Sequence, residues 1–99
     1  MQVLMGQILT DLDGKEIPSL SGEPATLRGV STEALIATFK SEEPSGEEKL
    51  KRWELALKVK KSEDPVDLTS DEIVLIKKLI GKAYGPMISG QAWQMLEGK

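Results

Sequence analysis

The residues best suited to acid–base chemistry in this sequence are adjacent carboxylates. Paired carboxylates can supply a general acid and a general base, as glycoside hydrolysis requires. The pairs are Glu42 with Glu43, Glu47 with Glu48, and Asp71 with Glu72. Each pair lies at the entrance of a predicted helix, where negative charge is stabilised by the helix dipole and by free amide protons. The sequence therefore favours a capping role for these acids over catalysis.

Other routes to catalysis are limited by composition. The chain has no histidine and no cysteine, which excludes thiol nucleophiles, imidazole proton transfer, disulfides, the usual zinc sites and iron–sulfur clusters. The segment 11–14 resembles the start of a calcium loop, but the fifth, sixth and twelfth positions are Lys15, Glu16 and Gly22. We expect a protein that is not an enzyme and that needs no cofactor or metal. An enzyme that uses carboxylates or a Ser–Lys pair would need a pocket that gathers distant residues.

A basic stretch from Lys49 to Lys61 contains six basic residues and a single acid, Glu54. Cations can contact phosphates and Trp53 can stack on a base, so this stretch is the candidate nucleic-acid site. The residues concerned are Lys49, Lys51, Arg52, Trp53, Lys58, Lys60 and Lys61. On a helix these cations do not form one stripe, and the net charge of the whole chain is −3. Nucleic-acid binding is therefore the alternative function.

Capping and turn signals define the elements that position these residues. Asp13-Gly14 is a hairpin turn signal, and Ser45 with Glu48 and Thr69 with Glu72 have the spacing of capping boxes. The sequence predicts a β-hairpin over 3–17, a loop over 18–25, and helices over about 26–40, 46–61, 70–84 and 87–97.

Length and patterning together predict one small domain. Ninety-nine residues at 39% apolar composition can form one core but not two. The expected fold class is mainly α (α+β), a small four-helix domain with an N-terminal β-hairpin. The apolar arc of the 70–84 helix covers about half its circumference, which places that helix in the centre. The apolar runs are too short for a signal peptide or a membrane span, so we expect no membrane partner and a cytosolic protein.

The predicted helix over 46–61 has apolar residues on two sides. One side carries Leu50, Trp53, Ala56 and Leu57, and the other carries Leu55 and Val59. One interpretation places this helix between the bundle and the hairpin, with both sides covered. In the other, Leu55 and Val59, with Trp93 of the last helix, bind a partner protein or a second copy of the chain.

Several short segments carry a resemblance to known proteins. They are residues 10–15, residues 45–49 leading to Trp53, residues 66–69 leading to 80–82, and residues 90–93. With these, the chain resembles a group of small, largely uncharacterised proteins of tailed bacteriophages and prophages. The matching motifs are turns and capping boxes, so the resemblance carries no catalytic assignment. It implies a phage origin and the host bacterial cytoplasm as the place of action.

The function expected from these observations is that of a non-enzymatic, phage-encoded protein-binding factor. Its partner would be a phage or host protein, and its role either assembly or regulation of that protein. A homodimer remains open, because a second apolar stripe can meet its own copy. The alternative is a nucleic-acid accessory protein that uses the basic helix over 49–61.

Overall fold

The computed structural model describes residues 1–19 and 21–98, so Leu20 and Lys99 lie outside the described residues. In chain order the elements are β1 (Gln2–Val3), α1 (Leu27–Ile36), α2 (Gly46–Lys61), β2 (Val66–Asp67), α3 (Ser70–Ala83) and α4 (Pro86–Leu96). The predicted fold class is confirmed: the described chain is mainly α, with four helices and a small antiparallel β part in which the N-terminal strand β1 pairs with β2.

The N-terminal caps of α2 and α3 form where the sequence places them. Thr69 Oγ1 accepts a hydrogen bond from the Glu72 amide at 3.1 Å, and the Glu72 carboxylate accepts one from the Thr69 amide at 2.8 Å. This is a complete capping box. At α2 the Ser45 hydroxyl accepts from the Glu48 amide, while the Glu48 carboxylate accepts from Arg52. The Glu48 side chain thus makes an i,i+4 ion pair within α2 instead of the second hydrogen bond of the capping box.

The chain before α1 reverses direction at the predicted turn. The Asp11 amide donates to the Lys15 carbonyl and the Ile17 amide donates to the Leu9 carbonyl, with Gly14 at φ 82°. The predicted hairpin began at Val3, but Val3 pairs with Val66 of β2 instead. The pairing in β1 and β2 joins residues more than sixty positions apart, which local turn signals do not encode.

The apolar arc predicted for α3 contributes four residues to the core. α1 packs against both α2 and α3, and α4 packs against α3. The buried residues of α3 are Ile73, Ile76, Leu79 and Ile80. Met5 and Leu9 from the N-terminal segment complete the core. Among the described residues, no helix is both long and apolar enough to cross a membrane.

The orientation of α2 differs from both interpretations of its two apolar sides. Leu55 and Val59 lie in the core, at 5% and 0% exposure, so they are not surface residues. Leu50 and Trp53, which were expected to face the core, are 56% and 55% exposed. Arg52 joins the buried side, where its charge is neutralised by acidic neighbours. The uncovered apolar side of α2 is therefore the one that carries Leu50 and Trp53.

Candidate functional site

A groove of about 720 Å³ lies between the end of α1, the connector over 37–44 and the first half of α2. Ile36 and Phe39 line it on one side, and Lys49 and Trp53 line it on the α2 side. Ile36 and Trp53 are large apolar side chains that are each 55% exposed. The groove thus combines concave shape with exposed apolar side chains from different elements, which is typical of binding surfaces.

The connector is held in place by a cluster of four charged side chains, Glu42, Glu48, Arg52 and Lys82, called here the Glu42 cluster. The Arg52 side chain is only 7% exposed, and its Nη1 donates to Glu42 Oε1 at 2.6 Å. Its Nε donates to Glu48 Oε1 at 3.3 Å. Lys82 of α3 donates to Glu42 Oε2 at 2.7 Å. Glu42 therefore ties the connector to both α2 and α3.

These contacts stabilise the ionised form of Glu42. Hydrogen bonds from Arg52 and then from Lys82 lower the pKa of Glu42 from its ordinary value of 4.5 to about 2. The folded state therefore binds a proton at Glu42 less readily than the unfolded state does.

We expect this difference to make stability depend on pH. Because the folded pKa of Glu42 is below its unfolded pKa, its contribution is fully present above about pH 5 and is lost as the pH falls towards about 2. Urea unfolding of the wild type and of Glu42→Gln at several pH values measures this. The wild type should be more stable at neutral pH, and its advantage should shrink on acidification. A difference in unfolding free energy between the two proteins that does not change with pH would contradict the lowered pKa of Glu42.

The seven residues of the candidate nucleic-acid site are not brought together. Arg52 is buried in the Glu42 cluster, and Lys58 Nζ donates to Glu72 Oε1 at 2.8 Å. The remaining lysines are exposed and have no ion pair among the described residues; they are Lys49, Lys51, Lys60 and Lys61. Lys51 lies on the side of α2 opposite Lys49 and Lys60, because an α-helix turns about 100° per residue.

Trp93, predicted to bind a partner together with Leu55 and Val59, lies elsewhere. Its Nε1 donates to the Lys77 carbonyl at 3.0 Å, and Lys77 Nζ lies 4.5 Å from its ring centroid. The Trp93 ring therefore packs against α3 while keeping 41% exposure. It is not among the residues that line the groove. The structure does not gather the three predicted partner-binding residues on one surface.

One residue of each acidic pair has a structural partner in the fold. Glu42 and Glu48 bind Arg52, and Glu72 binds Lys58 and caps α3. Among the described residues, no group of three or more acidic side chains is arranged to hold a metal ion. The predicted capping role is therefore found for Glu72. Glu42 caps no helix and instead forms ion pairs with Arg52 and Lys82.

Sequence reasoning missed the α1 side of the groove. The predicted helix extended to about residue 40, but α1 ends at Ile36, and Ala37 has the extended backbone angles φ −70° and ψ 149°. Ile36 is therefore the last residue of α1, and Phe39 lies in an irregular connector rather than on a helix. The only local hint was that both Ile36 and Phe39 are large apolar residues close to Pro44.

Comparison with known proteins identified no relative of this chain. No family model, no curated protein and no solved structure matches this chain. The resemblance to phage proteins remains a prediction.

Proposed function

We propose that this protein is a non-enzymatic protein-binding factor whose partner inserts apolar side chains into the groove between α1 and α2. The observation that carries the proposal is the exposure of Ile36 and Trp53 at the groove and of Leu50 beside Trp53 on α2. Aromatic and large aliphatic side chains around a concave surface supply most of the binding energy in protein interfaces.

The anchoring of the connector supports the same proposal. Glu42 connects the connector to Arg52 and Lys82, and Lys82 Nζ lies 5.8 Å from the ring centroid of Phe39. A groove with fixed walls loses little conformational entropy on binding, so more of the contact energy appears as affinity.

The resemblance to phage proteins motivates the choice of partner. A phage or host protein in the bacterial cytoplasm is the proposed partner, with assembly and regulation as the two roles. A second copy of the chain is the competing occupant, since the same surface could pair with itself.

Crosslinking from the groove tests this function. A photo-reactive amino acid replaces Ile36, which lines the groove, in one variant and Val74 of α3, which is 63% exposed and does not line the groove, in another. We expect the Ile36 position, but not the Val74 position, to crosslink one discrete protein in phage-infected cells. With that protein purified, Trp53→Glu should weaken binding by at least about tenfold.

The result that would overturn the proposal is equal crosslinking from both positions, or unchanged affinity of Trp53→Glu. A crosslink only to the chain itself would assign the groove to a homodimer and would reject a foreign partner.

A further inference from the structure

We infer that the connector over 37–44 is a strap that opens as a unit while the helices stay folded, and that closure of this strap forms the groove. The inference deepens the proposed function, on which it rests for what the groove binds, because it specifies how access to that site is regulated. It comes from the small number of contacts that hold the strap to the rest of the fold.

The strap is a surface segment with little backbone support. None of the residues over 37–44 is buried. Among the described residues, the backbone over 38–44 makes a single hydrogen bond, from the Glu42 amide to the Phe39 carbonyl at 3.3 Å, and both groups belong to the strap itself. Segments with few buried side chains and few backbone hydrogen bonds open at a lower free energy than core helices do. Side chains must therefore hold the strap closed.

Two side chains fasten the strap to the helices. Glu42 Oε1 accepts from Arg52 of α2 at 2.6 Å, and Oε2 accepts from Lys82 of α3 at 2.7 Å. Phe39 is partly buried against the core, and Lys82 Nζ lies 5.8 Å from its ring centroid. Within the described part of the chain, no other side chain of the strap makes a hydrogen bond or an ion pair. Lys82 therefore contacts both fastening side chains.

Opening of the strap leaves no buried charge without a partner. The Arg52 side chain is only 7% exposed, so it needs an acidic partner whether the strap is closed or open. Glu48, one turn earlier on α2 and outside the strap, supplies that partner at 3.3 Å. The Lys82 side chain is 34% exposed and reaches water. The helices can therefore stay folded when Glu42 moves away.

Closure of the strap supplies one wall of the groove. The strap residues Phe39, Glu42, Glu43 and Pro44 line the groove, and Trp53 lines it from α2. With the strap open this wall is lost, and the concave surface is lost with it. A partner that occupies the groove binds the closed form, so it stabilises closure in proportion to its occupancy.

Tryptic cleavage after Lys40 measures opening of the strap. Lys40 is exposed near the middle of the strap, and cleavage of a folded protein tracks the population in which the surrounding chain is released. Mass spectrometry follows the initial rate at which fragments 1–40 and 41–99 form. Cleavage after Lys77 of α3 reports unfolding of the helices, and each rate is divided by that of the same bond in a short synthetic peptide. We expect cleavage after Lys40 to be at least about tenfold faster than after Lys77.

Two substitutions on α3 provide the matched pair. Lys82→Met removes one ion pair of Glu42 without changing the sequence of the strap, and it should speed cleavage after Lys40 about fivefold or more. Lys78 is exposed on the same helix and has no ion pair among the described residues. Lys78→Met should therefore leave the rate of cleavage after Lys40 unchanged.

Three results would overturn the inference. Equal normalised rates after Lys40 and Lys77 would show that the strap opens only when the whole domain unfolds. Cleavage after Lys40 at the rate of the free peptide would show that the strap does not close. Equal effects of Lys82→Met and Lys78→Met would show that the ion pairs of Glu42 do not fasten it.

A last measurement couples the strap to the groove. The partner identified by crosslinking from Ile36, added at about ten times its Kd, should slow cleavage after Lys40 about tenfold. Unchanged cleavage would overturn the regulatory role of the strap. The cleavage rates without a partner test the strap alone, whereas crosslinking from Ile36 decides the proposed function, so the two can fail separately.

Discussion

Replacing Val59 with glutamate is expected to unfold this protein, whereas the same replacement at Leu50 on the same helix is expected to leave it folded. Val59 is 0% exposed and Leu50 is 56% exposed. A carboxylate at position 59 would be transferred from water into the apolar core without a cation or hydrogen-bond donor placed to bind it. The expected cost exceeds about 4 kcal/mol, which is a large share of the stability of a small domain.

Urea unfolding followed by circular dichroism measures this pair of variants. Leu50→Glu should change the free energy of unfolding by no more than about 0.5 kcal/mol, because its side chain stays in solvent. The opposite ranking, with Leu50→Glu unfolded and Val59→Glu stable, would show that α2 presents its other side to the core. The groove would then be lost as a candidate site, since Trp53 would be buried.

Asp64→Ala is expected to produce the second large effect, a loss of about 3 kcal/mol in the free energy of unfolding. Asp64 Oδ1 accepts from the Met5 amide and from Arg28 Nη2, and Oδ2 accepts from the Gly6 amide, each at 2.8 Å. A Cβ added at Gly6 would lie 2.9 Å from Oδ2, so the approach is close. This carboxylate holds the N-terminal segment to α1.

Ionisation of Asp64 accompanies these contacts. Burial acts to raise the pKa of Asp64, but the Met5 and Gly6 amides and the charge of Arg28 together lower it below its ordinary value. The contribution of Asp64 is therefore present at neutral pH and is lost as the pH falls through the acidic range.

Asp67→Ala is the matched control for Asp64→Ala. The Asp67 side chain is 83% exposed and pairs with the amino group of Met1 at 3.3 Å, so its loss should cost less than about 1 kcal/mol. Thermal and urea unfolding of both variants at neutral pH, and again near pH 3, provide the comparison. We expect the difference in unfolding free energy between the two variants to be smaller in acid. Equal destabilisation by the two variants at neutral pH would refute the role given to Asp64.

Local signals predicted the elements that depend on local hydrogen bonds. Thr69 and Glu72 satisfy each other's amides three residues apart, and Gly14 adopts the positive φ that its turn requires. α3 has a single apolar arc, so the sequence alone predicts which side of that helix is buried. These features depend on residues only a few positions apart, so a local stretch of sequence is enough to predict them.

Other contacts have no local signature. The Gln91 side chain donates to the Thr10 carbonyl at 2.7 Å and accepts from the Thr10 amide at 3.0 Å, across 81 positions. β1 and β2 pair over a similar separation. Such contacts depend on how helices and loops pack, and periodicity along the chain does not register them.

The sequence by itself determined the four helices, the turn at Gly14 and the absence of thiol and imidazole side chains. Only the tertiary structure decided which apolar side of α2 is exposed, and hence where the candidate site lies. The stripe with Leu50 and Trp53 has more apolar residues than the stripe with Leu55 and Val59, so periodicity alone favours burial of Leu50 and Trp53, which are exposed in the fold. Glu42, ten positions before Arg52, neutralises that arginine and allows its side of the helix to be buried. Arg52 is buried together with Leu55 and Val59, and Trp53 on another side of α2 remains exposed at the groove.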